Sequence, residues 1–133
     1  MTRLCDDPRI DEGIRLFNEG EYFACHDVFE DLWSEITGPE RSFIQGLIHA
    51  AVSLFHFEGG NLTGARKMFG TFRAYTGSFI PSYCGIDVAA LHRDMEYCFE
   101  ELLAVKSGYP SQVQLHPDRV PRIQHSRSLP PEC

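Results

Sequence analysis

Gly20-Glu21-Tyr22-Phe23-Ala24-Cys25-His26-Asp27-Val28-Phe29-Glu30-Asp31-Leu32-Trp33 reads as a glycine break followed by an amphipathic helix. Cys25, Val28, Phe29, Leu32 and Ile36 recur at helical spacing and form an apolar stripe, while His26, Glu30 and Trp33 stand at i, i+4 and i+7 on its shoulder. The helix is predicted over residues 21–36, where Thr37-Gly38-Pro39 forces a turn. Upstream, Asp7-Pro8 supplies an acidic N-cap and a proline at the first helical position, and Ile10, Ile14 and Phe17 carry a short helix to Asn18. Downstream, residues 40–58 form a third helix with the stripe Ile44, Leu47, Ile48, Ala51, Leu54 and Phe55. Gly59-Gly60-Asn61 ends it and caps a fourth over residues 62–75. Residues 76–85 read as a loop, after which Asp87 caps a fifth helix to residue 105 with Val88, Leu91, Met95, Phe99, Leu102 and Leu103 as its stripe. No segment alternates long enough to build a sheet, so the fold class is all-α, a bundle of five helices built from helical hairpins.

Residues 17–29 and 57–69 align at an offset of 40, matching Gly20 with Gly60, Cys25 with Ala65, Val28 with Met68 and Phe29 with Phe69. Such an echo suits two hairpins arranged like tetratricopeptide helix pairs. Residues 1–105 then make the helical domain, and residues 106–133, with five of the eight prolines and no sustained period, make an extended or partly disordered tail. Val113, Leu115, Val120 and Ile123 give that tail something to bury against its own site mouth or a neighbouring subunit.

A net charge of −7 provides no basic stripe for phosphates, which argues against nucleic acid and against an anionic membrane surface. No apolar run approaches the roughly 18 residues needed to span a bilayer, and Met1-Thr2-Arg3-Leu4-Cys5 lacks a signal-peptide core. Five widely spaced cysteines without a CxxC pair read as reduced thiols, Cys25 and Cys98 within apolar stripes and Cys133 near the chain end. The expectation is a soluble protein of the cytoplasm or another reducing intracellular compartment, meeting a protein partner or a second copy of itself.

The third helix has its own shoulder of Gln45, His49, Val52 and His56. In an antiparallel hairpin of helices two and three, Glu30 lies level with Leu47 and His26 with Ala51, which brings His26, Glu30 and His49 toward a common point with Gln45 and Trp33 at its rim. Three readings stay open. His26, Glu30, Trp33, Gln45 and His49 form a structural polar network, or Gln45 and the histidines anchor a small ligand between the apolar walls Trp33, Phe23 and Phe57. Alternatively His26, Glu30 and His49 are a two-histidine, one-carboxylate set for zinc or iron, serving a mononuclear hydrolase-like enzyme. In that version His49 or His26 is the general base and Glu30 its orienter. No GxSxG nucleophile elbow accompanies them, and Cys25 and His26 point about 100° apart on a helix, so whether the protein is an enzyme stays open. His92 reads as a core-edge histidine, and His56, His116 and His125 carry no role.

Gly20, Tyr22, His26, Asp27, Glu30 and Trp33, then Gln45-Gly46-Leu47-Ile48 with Ala50-Ala51, then Gly60-Asn61 and Gly64-Ala65, resemble the motifs of domain of unknown function 309. These are small helical proteins of bacteria, archaea and plastid-bearing lineages. The likeness spans residues 12–75 and extends toward Pro81 and Gly85-Ile86-Asp87; Asp27 stands where that family more often has glutamate. The resemblance implies a compact helical bundle in which the five cluster residues belong together, and it implies no activity.

Overall fold

The computed structural model describes residues 3–105 and 113–127. Six α-helices and one small hairpin follow in order: α1 (Pro8–Asn18), α2 (Tyr22–Trp33), α3 (Glu40–Glu58), α4 (Leu62–Thr76), β1 (Ser82–Tyr83), β2 (Ile86–Asp87), α5 (Val88–Cys98) and α6 (Glu100–Ala104). Local chemistry starts three of the helices. The Asp7, Asn61 and Asp87 side chains accept from the backbone N–H of Arg9 at 2.9 Å, Gly64 at 3.0 Å and Ala90 at 2.8 Å, each satisfying a donor that the first turn leaves open. The α1–α2 and α3–α4 turns share one geometry 40 residues apart: Glu21 N–H donates to Leu16 O at 2.9 Å and Asn61 N–H to His56 O at 2.8 Å. Gly20 and Gly60 both hold positive φ there, at 79° and 82°, which only glycine adopts without strain.

Helix α3 lies between α2 and α4 and packs more extensively on α4. Phe43, Ile44, Leu47, Ala50, Ala51 and Leu54 are buried in the centre of the core, joined by Phe17, Phe29, Phe72 and Phe99 from the flanking elements. Glycine makes two of these approaches possible. A Cβ on Gly13 would stand 2.3 Å from the Phe29 ring, and one on Gly46 would stand 2.2 Å from Thr76 Cγ2.

Four expectations need correction. Helix two stops at Trp33 rather than Ile36, because Glu35 N–H and Ile36 N–H turn back to Leu32 O and Trp33 O before Gly38 reverses the chain. The fifth helix breaks at Phe99, whose buried ring packs against Phe57 and Phe69 with centroids 4.9 Å away from each. The loop before it contains β1 and β2, joined through Cys84 and Gly85, both at positive φ as a tight hairpin turn requires. Lastly, Cys5 and Cys84 are bonded to one another, and Cys25 and Cys98 alone are free and buried among the described residues; the thiol read at Cys133 lies outside them.

Residues 113–127 run back along this chain's own body. Asn18 brackets Ile123, accepting from its N–H at 2.7 Å and donating to its carbonyl at 3.1 Å. Gln124 O accepts from Asp87 N–H and Ser126 N–H donates to Gly85 O, each at 2.8 Å, so this stretch lies along the β hairpin. Arg127 then pairs with Asp11 at 2.7 Å and donates to Cys84 O at 2.9 Å. Pro121 and Ile123 are buried, with Val113, Leu115 and Val120 partly covered. The rest of the proline-rich segment lies outside the described residues.

Candidate functional site

The five residues picked from the sequence divide into three groups. His26 and Glu30, one turn apart on α2, meet at 2.7 Å, with Asp27 3.3 Å from the other imidazole nitrogen. Gln45 and His49 meet one turn apart on α3 at 2.8 Å, and His49 reaches across to Thr71 of α4 at 2.7 Å. Trp33, at the far end of α2, lies under the Arg41 guanidinium at 3.7 Å. No group of three or more His, Cys, Asp or Glu able to hold a metal is gathered among the described residues. Both nitrogens of His49 are engaged, one with Gln45 and the other with Thr71, and neither bonds to His26 or Glu30.

The His49 chain has one consistent direction. The Gln45 amide donates to Nε2, Nδ1–H donates to Thr71 Oγ1, and the Thr71 hydroxyl donates to Met68 O at 3.0 Å. This requires a neutral imidazole. Burial pushes the His49 pKa down and the nearby His26 adds to the effect. Tyr75 closes the outer side, edge-on to the His49 ring at 5.4 Å. A second neutral histidine, His92, is buried against Phe72 and donates to Thr76 at 2.6 Å, and burial depresses its pKa also.

Both shifts have the same sign for stability. A histidine whose folded-state pKa lies below its ordinary value of 6.5 contributes stability that is complete above that value and is lost as pH falls toward the folded-state pKa. The urea midpoint should therefore fall between about pH 7.5 and pH 5.5. Asn in place of His49, which retains a donor toward Thr71, should flatten that fall; an unchanged slope would rule out the neutral-histidine assignment.

Beside His26 the surface opens into an apolar cavity of about 200 Å³ lined by Tyr22, Phe23, His26, Val52, Phe55 and His56. Phe23 is 64% exposed and Phe55 44% exposed, and their rings touch with centroids 6.1 Å apart. Helical spacing alone puts Phe55 on the apolar stripe of α3. It stands instead at the edge of the α2–α3 seam, near the start of α2. Thr71 was also missed, since its part depends on how α4 packs and no local spacing marks it.

Residues 10–68 match the family model described as Domain of unknown function (DUF309). That segment holds His26, Glu30, Trp33, Gln45, His49, Phe23 and Phe55, whereas Thr71, the β hairpin and the returning arm lie beyond it. A curated relative, Uncharacterized protein YpuF of Bacillus subtilis (strain 168), is 35% identical over 49 residues, covering 36% of this chain. The aligned part of the chain spans 28% of that relative's length. Among the described residues, no helix is long and apolar enough to cross a membrane.

Proposed function

We propose that this chain is a helical interaction module in which the α1–α2 and α3–α4 pairs stack in a tetratricopeptide-like manner and the α2–α3 groove receives side chains of a partner protein. The observation that carries this is the Phe23–Phe55 pair, two largely exposed rings in contact over an apolar cavity. Solvent-facing phenylalanines contribute little to folding and gain most when a partner covers them. The polar residues support the walls: His49 with Gln45 and Thr71 staples α3 to α4, and Glu30 holds the His26 ring at the groove's edge. Every buried side-chain polar atom among the described residues has a hydrogen-bond partner, as a structural network requires. The metal-dependent hydrolase reading is not favoured, since His26, Glu30 and His49 do not converge. The Cys5–Cys84 bond likewise takes away the cysteine argument for a reducing compartment.

Panning a displayed random peptide library against the protein tests the module. Peptides enriched on the native chain are expected to lose at least about tenfold in affinity on a Phe23→Ser/Phe55→Ser variant that keeps its circular dichroism spectrum. Enriched peptides that bind both proteins equally would sink the proposal.

A further inference from the structure

The α2–α3 cavity is walled mainly by rings, those of Tyr22, Phe23, Phe55, His26 and His56, with Val52 completing it. The phenyl and phenol faces carry the negative side of an aromatic quadrupole. Negative charge also collects at one end of this groove. Glu21 precedes α2 and Glu58 closes α3; burial and the Glu21 charge together push the Glu58 carboxyl up, and Glu58 adds to the burial that raises the Tyr22 phenol. Neither carboxylate joins an ion pair among the described residues, whereas some other exposed acids do: Asp31 and Glu35 pair with Arg9, and Glu12 and Glu19 with Arg15. On the remaining rim, Asp27 and Glu30 pair among the described residues with His26 alone.

We propose that the partner is a cationic amphipathic helix, one of whose lysine or arginine side chains enters the aromatic cavity. Its alkyl stem lies between Phe23 and Phe55, and its charge is received by the ring faces and by Glu21 and Glu58. The inference rests on the docking reading above and adds the sign and class of the occupant. A long basic side chain suits such a slot because its stem is apolar and only its end is charged. The uncompensated carboxylates would otherwise repel one another, so a cation relieves a cost already present in the free protein.

Two synthetic helices of about 16 residues with the same leucine face separate charge from apolar adhesion, one with lysine and the other with glutamate at every polar position, measured by fluorescence anisotropy at physiological salt. The lysine peptide is expected to bind at least about tenfold more tightly than the glutamate peptide. Phe55→Ser should weaken it by about fivefold or more, and Glu21→Gln/Glu58→Gln by about threefold or more. These positions are exposed, so unchanged circular dichroism spectra can be required of both variants. Equal affinity of the lysine peptide for wild type and Phe55→Ser would overturn the inference as general attraction to an acidic protein. Phe55-dependent preference for the glutamate peptide would also overturn it, while leaving the groove as a docking site. A wild type that dimerises through Phe55, as read by sedimentation, would assign the groove to a second copy and overturn it too. Binding of neither peptide ends the inference, and the library result then decides separately whether the groove docks anything.

Discussion

Alanine in place of Phe29 is expected to destabilise the protein by about 3 to 5 kcal/mol, read as a lowered urea midpoint. The ring is fully buried and fills the space a side chain on Gly13 would need, since a Cβ there would lie 2.3 Å from ring atoms. The pair should therefore be coupled. Gly13→Ala alone forces the ring aside at a cost of about 1 to 3 kcal/mol, partly offset by the roughly 1 kcal/mol that alanine gains over glycine inside a helix. With Phe29 already shortened to alanine, Gly13→Ala should become neutral or stabilising. Strictly additive effects would mean that α1 and α2 do not cross at this point.

Cys5→Ser is the second large effect. The bond joins residues separated by 79 positions, and restricting the unfolded chain over such a loop is worth about 4.5 kcal/mol in the chain-entropy account. The wild type should lose most of this stability in a phosphine reductant, and Cys5→Ser should show no response to it. The remaining described thiols will not confuse the measurement, because burial pushes both Cys25 and Cys98 up to about 12 and keeps them protonated at neutral pH. A native protein whose melting temperature ignores the reductant while the bond is demonstrably cleaved would refute this.

The sequence was most legible where chemistry is local. The caps at Asp7, Asn61 and Asp87, the glycine breaks and the bounds of α3 each depend on neighbours within a few residues, and all are found. Phe55 was misread because α3 is wedged between two helices and is apolar over a wide arc, so periodicity does not mark where coverage ends. The β hairpin was missed because two-residue strands are too short to show alternation. Its turn depends on the backbone of Cys84 and Gly85. Nor could spacing pair Cys5 with Cys84, or His49 with Thr71. Both contacts exist only once distant elements have docked.

The junction of Asp11, Cys84, Arg127 and the Cys5 bond gives assembly an order. The first four helices contact mainly their sequence neighbours, through short turns, and such contacts form rapidly. The junction instead joins positions 79 and 116 residues apart, and Arg127 cannot arrive until all six helices have been synthesised. The bundle is thus the template and the arm its latch. During synthesis, the face of α1 that receives Asn18's partner Ile123 stays open until residues 113–127 return to cover it.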